Sequence, residues 1–205
     1  MYLALLSDLK ARLGTDTSQD GLLGQALRGA GAALDRYSGR ALLYLAPAEG
    51  EDGETVYFDG DVFDLLLKRF PVIGDPVVTV ATDYDFEGTD ALVADEDYRL
   101  DRVRGRIIRV PKGLRWPAGE QIIQVANLLG GYYDPVLTAE EAPEGVAVVP
   151  EDIQEAALLT AVDLYKRRDE PGYKVVWGSG EQSAGYAPEV KLLPVVKELM
   201  AGERR

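Results

Sequence analysis

The reactive groups in this sequence are carboxylates, hydroxyls and lysines, because its 205 residues include neither histidine nor cysteine. That removes disulfides, thiolate chemistry, Cys/His zinc sites and the side chain most used for proton transfer near neutral pH. Asp83-Tyr84-Asp85-Phe86-Glu87-Gly88 has acids at positions one, three and five of a calcium loop and glycine at six. The twelfth position is Ala94, where the bidentate acid belongs, and the flanks have strand rather than helix character, so a solvated acidic turn is expected. Gly178-Ser179-Gly180-Glu181-Gln182-Ser183 lacks the lysine and hydroxyl that end a phosphate-binding loop, and reads as a loop. Adjacent acids such as Asp59/Asp61 and Glu140/Glu141 follow from an acid-rich composition and need no tuned acid–base pair. Ser7, Ser38, Ser179 and Ser183 have no histidine to activate them and are not expected to stand beside a lysine base. The expectation is a protein that is not an enzyme and takes no cofactor or metal.

Charge is distributed unevenly along the chain. The net charge of −13 lies wholly between Glu49 and Asp101, where sixteen acids face only Lys68, Arg69 and Arg99. Arg102, Arg104, Arg106, Arg109, Lys112 and Arg115 follow without one intervening acid. So acidic a chain should not grip nucleic acid, since attraction to phosphate needs a positive surface. Alternating Arg102, Arg104 and Arg106 can present guanidinium groups on one side of a hairpin. Two roles suit them: cross-strand pairing with the acidic strands, or an intersubunit charge contact between the acidic face of one copy and the basic turn of the next. No apolar run approaches the roughly 20 residues of a membrane-spanning helix, and Met1–Leu6 lacks the basic flank of a signal peptide. A protein kept in the cytoplasm, without a membrane partner, is expected.

The elements that carry these residues fall into three stretches. Ser7 is placed as the cap of a short helix that Gly14 ends, and Asp16, Thr17 or Ser18 as the cap of the next. Leu23, Ala26, Leu27, Ala30, Leu34 and Tyr37 recur at intervals of three and four up to Gly39, the stripe of an amphipathic helix. Gly24, Gly29 and Gly31 inside it are expected to admit a neighbouring helix. From Ala41 to about Tyr133 the period falls to two: Thr55–Phe58, Val62–Leu65, Pro76–Ala81, Tyr98–Leu100, Arg106–Val110 and Ile122–Ala126. Helix returns at Pro150, with Ile153, Ala157, Ala161, Leu164 and Arg168 on one face and Lys166-Arg167-Arg168 in its last turn. Gly172–Gly185 reads as a loop, and Pro188–Met200 as a final helix with Val190, Leu193 and Val196 or Lys197 on one side.

Three stretches taken together resemble a known family. They are Leu9–Gly14 with the helix ending Asp35-Arg36-Tyr37-Ser38-Gly39-Arg40; Asp95-Glu96-Asp97-Tyr98-Arg99-Leu100-Asp101 with Gly105-Arg106-Ile107; and Gly131-Tyr132-Tyr133, then Val149-Pro150-Glu151-Asp152-Ile153 running on to Lys166-Arg167-Arg168-Asp169. In this order and spacing they are similar to the head–tail connector, or adaptor, proteins of long-tailed double-stranded DNA bacteriophages. The linker Asp134–Val148 is longer and the acidic insertion heavier than that pattern has. The resemblance implies an α+β fold: a helical bundle formed by N- and C-terminal segments, residues 1–40 and 149–205, with an inserted, mainly antiparallel acidic β-region at 41–148. It further implies a structural virion protein of the neck, assembled in the host cytoplasm. Its copies would form a ring, twelve-fold once assembled, that docks under the portal protein and extends the DNA channel to a stopper or tail protein, letting double-stranded DNA pass unbound at ejection.

The segment Tyr173–Arg205 would then reach a neighbour or the portal, through Tyr186, Pro188, Val190, Leu193 and Val196. Part of the Glu49–Asp101 acidity, Asp83, Asp85 and Glu87 among it, is expected either to line the channel, where like charge repels phosphate, or to form a solvated outer surface that keeps the free subunit soluble and monomeric. Two other readings are weighed against this one. Another neck component, a stopper or tail-completion protein, would be smaller and more purely β, and a carboxylate-dependent hydrolase would gather acids in a pocket.

Overall fold

The computed structural model describes residues 2–44, 47, 53–81, 85–86, 89–133, 135, 145–168 and 191–203. The fold is α+β, and the chain divides into two units. One takes in Met1–Gly39 and Val148–Arg205, the other Arg40–Tyr133.

The helical unit comprises α1 (Leu6–Leu13), α2 (Asp20–Ser38), α3 (Glu151–Arg167) and α4 (Pro194–Leu199). Leu23, Ala26, Leu27, Ala30 and Leu34 are buried along α2, and Ile153, Ala157, Ala161 and Leu164 along α3. The two stripes pack against each other, with α1 against both and α4 on α3. Small side chains at the contact let the helix axes come close. Leu5 rather than Ser7 caps α1; the Ser7 hydroxyl donates to Asp8 at the surface. Asp16 caps not α2 but the 3₁₀ turn Thr17–Gln19 before it, accepting from the Ser18 hydroxyl at 2.5 Å and from its N–H at 2.9 Å, bonds that hold its carboxyl below the usual range; α2 itself starts behind Gln19 with no side-chain cap. Gly24 and Gly31 admit no helix. The neighbour is the extended start of the chain: a Cβ on Gly24 would stand 2.8 Å from the Tyr2 hydroxyl, and one on Gly31 3.8 Å from Leu3. Of the expected Val190, Leu193 and Val196 or Lys197, Val196 is buried, together with Leu192 and Met200 at the two ends of α4, while Leu193 is half-buried, Lys197 exposed and Val190 outside the described residues.

Arg12 of α1 grips Glu155 of α3 through both guanidinium nitrogens, one at 2.8 Å, which lowers the carboxyl's pKa and raises the guanidinium's. Both side chains are more than a third exposed (38% and 37%), so solvent screening keeps the pair near the upper end of surface bridges, about 0.5–1 kcal/mol. Because the folded-state pKa of Glu155 is depressed, this stabilisation is present above the ordinary glutamate range and is lost as pH falls through the folded value. Urea titrations should find Glu155→Gln less stable than wild type by about that amount at neutral pH and equal to it at about pH 3.

The β-unit has two sheets. In the first, β7 (Ile123–Gly130) lies between β1 (Glu54–Phe58) on one side and β4 (Val77–Val80) with β3 (Val72–Ile73) on the other, all antiparallel. In the second, β6 (Arg106–Arg109) lies between β2 (Asp64–Leu66) and β5 (Tyr98–Asp101). β1 and β2, consecutive in the chain, do not pair: the Asp59-Gly60 turn sends the chain from one sheet to the other. Val56, Val78, Ile123 and Val125 of the first sheet share one core with Leu65, Leu100 and Ile107 of the second, so the sheets face one another as a sandwich. Trp116, 1% exposed, belongs to the same core. The register of β1 on β7 shifts between Glu54 and Val56, where β7 takes an extra residue and Asn127 sits at φ 57°. Such a bulge bends the long central strand.

Candidate assembly surfaces

Folding pairs the acidic stretch with the basic residues that follow it. Arg102 donates to the Gly74 carbonyl and reaches Asp75 at 2.5 Å; Arg106 pairs with Asp64; Arg115 reaches Asp61 at 3.0 Å and lies over the Phe63 ring at 4.6 Å. Arg69 meets Glu54 at 2.7 Å. Arg104 differs. Its guanidinium is 75% exposed and 4.0 Å from Asp101, beside Val103, itself 74% exposed, at the tip of the β5–β6 hairpin. Of the three arginines singled out in the sequence, two are engaged inside their own unit and one points outward.

Asp85 lies at the surface; Asp83 and Glu87 lie outside the described residues, as do Glu140, Glu141 and the segment 178–183. Asp59 accepts from the Gln121 N–H at 2.8 Å, while Asp61 goes to Arg115, so these neighbours do not act as a carboxylate pair. Ser7 in fact stands three residues before Lys10, the spacing of a serine–lysine pair. The Lys10 ammonium is 2.5 Å from Asp20 and the Ser7 hydroxyl donates to Asp8, so these two side chains are each engaged with a carboxylate and not with one another. No group of three or more acids among the described residues is gathered as a metal site would be. No described helix is long and apolar enough to cross a membrane.

Tyr186, Pro188 and Val190 lie outside the described residues. Leu193 is half-buried at the start of α4, and Val196 is fully buried in the interior, so its side chain is not available to a partner. The outward side of α4 is Pro194, Val195, Lys197 and Glu198.

One arrangement that the sequence did not reveal surrounds Arg40. This residue is 3% exposed, its guanidinium 3.8 Å from the centre of the Phe70 ring and 5.3 Å from that of Tyr132. It donates to the Phe70 carbonyl and the Tyr132 hydroxyl, each at 3.3 Å. An arginine directly after a helix-stopping glycine reads as a solvated end, and no periodicity marks it as interior. Tyr98 is likewise interior: its hydroxyl donates to the Pro76 carbonyl at 3.2 Å, and burial raises its pKa.

No family model matches the sequence, and no curated protein matches it. Among solved structures the chain is similar to one from the neck of an empty GTA particle computed with C6 symmetry. That likeness has a TM-score of 0.51 and 19% identity, over 98% of this chain and 89% of that one. A chain from the neck of a native GTA particle computed with C12 symmetry gives a TM-score of 0.46 and 17% identity, over 97% and 87%. Two units built of helices and antiparallel sheet thus take the fold of a chain found in the neck of the empty GTA particle.

Proposed function

We propose that this chain is a structural subunit of a particle neck, an adaptor whose copies form a ring beneath the portal and continue the DNA channel toward a stopper or tail. The observation that carries this reading is the fold likeness to a neck chain, which spans nearly the whole of both chains rather than one shared motif. The surface chemistry agrees with it. Arg12, Arg69, Arg102, Arg106 and Arg115 are paired with carboxylates, while large apolar side chains such as Phe63, Leu66, Val103 and Val195 stand at the surface. Exposed apolar groups with satisfied charges around them suit protein contacts rather than turnover. The acidic balance suits a conduit that must release its cargo.

Purified chain mixed with portal rings of the same particle and imaged by electron microscopy should give a second ring stacked coaxially on the first. Portal rings that remain bare at saturating chain would overturn the assignment.

A further inference from the structure

The two outer faces of the β-sandwich differ in charge. On the second sheet, residues opposite one another across the strands lie on the same face. The row Leu65–Ile107–Leu100 points into the core, so the rows Asp64–Ile108–Arg99 and Leu66–Arg106–Asp101 point outward. The alternation continues past β2, leaving Leu67 buried and Lys68 exposed. With Arg104 at the hairpin tip, this face sets four bases (Lys68, Arg99, Arg104, Arg106) against Asp64 and Asp101, around Leu66, which is 44% exposed.

The first sheet's outer row is Tyr57–Gln124–Thr79, with Val77 beside it; Thr79 is itself buried, so the open part of this face is Tyr57, Gln124 and Val77. Tyr57 is 48% and Val77 38% exposed. Phe86 lies on the Tyr57 ring, centroids 5.6 Å apart, and Ala91 bridges to Thr79, so Asp85 and Asp90 flank this face, with Asp59 at the end of β1. It carries three acids and no base among the described residues. Because the sheets enclose a common core, these two faces point in opposite directions.

We infer that the two faces are the halves of one heterologous contact between copies of this chain, the basic Leu66 face of one copy seated on the acidic Tyr57 face of the next. Two unlike, complementary faces on opposite sides of one unit join copies head to tail, the kind of contact that builds a ring when the rotation from copy to copy closes. Opposite charge sets the order and direction of docking, and apolar side chains at the centre of each face supply the burial. The contact deepens the ring reading proposed above, and it places Asp85 against a neighbouring copy rather than along the DNA path.

The chain has no cysteine of its own, so Leu66→Cys and Tyr57→Cys in one chain supply the only two thiols. A short bis-maleimide added to concentrated protein should give a ladder of multimers joining position 66 to position 57. Lys68→Glu with Arg99→Glu should weaken the ladder at least about tenfold, since like charges then face each other. Asp85→Lys with Asp90→Lys should do the same. Mixing the two reversed chains should restore it, a result that loss of folding in either variant could not produce. No ladder, links joining only like positions, or a ladder indifferent to both reversals would overturn the contact. Running the same chains on portal rings separates the two proposals. Stacked rings without 66-to-57 links leave the neck reading standing and remove this contact; links without stacking do the reverse.

Discussion

Gly60→Ala is expected to abolish the cooperative folding of the β-unit. A Cβ at this position would lie 1.5 Å from the Pro117 carbonyl oxygen and 2.7 Å from its carbon. Both are backbone atoms, so no rotamer change can relieve the clash. The Gly60 N–H also donates to the Gly119 carbonyl at 2.7 Å, and the Asp61 N–H to that of Trp116 at 3.1 Å, so the two segments are tied where they would have to part. Moving them would expose Trp116, and the expected cost exceeds about 4 kcal/mol, beyond the range of ordinary point substitutions. The near-ultraviolet circular dichroism of buried Trp116 should collapse while the helical far-ultraviolet signal persists. Gly21→Ala is the control: open space surrounds its Cβ position in α2, and alanine there should be neutral or stabilising by up to about 1 kcal/mol. A Gly60→Ala protein with native near-ultraviolet signal and urea midpoint would show that this crossing is not tightly packed.

The second large effect is expected at Arg40. Alanine there removes a cation stacked on two rings, two donors to buried acceptors and the volume of a long side chain at once. Desolvated cation–π contact contributes about 2 kcal/mol, and hydrogen bonds from a charged donor about 1.5 kcal/mol or more each. Both bonds here are long, so a total loss of about 3 kcal/mol is expected. Arg40→Lys keeps the charge over Phe70 but cannot span both acceptors with a planar fork, and should recover roughly half of the loss. Urea midpoints of the three proteins test the order. A lysine variant no better than alanine would mean that the fork, and not the charge over the rings, makes the contribution.

How much of this was legible in the sequence depends on the range of the cause. Helices α2 and α3 follow from local periodicity with glycine or proline at their ends, strands β4, β6 and β7 from β-branched residues between turns, and β5 from the turn near Gly105 that it shares with β6. Those are near-neighbour effects, and the α+β class follows from them. The partner of each strand is not local. Nothing in Thr55–Phe58 or Val62–Leu65 says which sheet each joins, and Gly60 is the residue that lets the chain cross Pro117 and pass from one to the other. β3 is two residues long and has no period to detect. Arg40 and Gly24 owe their roles to Phe70, Tyr132 and Tyr2, residues whose proximity exists only after folding. The same holds for the arginines: the sequence supplied both roles, pairing within the unit or contact with a neighbour, and only the placement of Asp64 and Asp75 sorts Arg106 and Arg102 from Arg104. In α4 the burial of Val196 was legible but Leu192 was missed in favour of Leu193, because a six-residue helix holds too few turns to fix a phase.

The separation of opposite charges along the chain has a consequence for the order of events during synthesis. Glu54, Asp61, Asp64 and Asp75 leave the ribosome well before Arg102, Arg106 and Arg115, and only Arg69 comes early enough to meet its acid at once. A nascent β-region that ends short of residue 102 is a self-repelling polyanion and stays expanded. Its edge strands are then kept from sticking to other chains while β7, the strand on which three others depend, is still to come. Emergence of the six bases from Arg102 to Arg115 cuts the region's net charge from −13 to −7 just before β7 itself appears, so the repulsion eases as the central strand arrives.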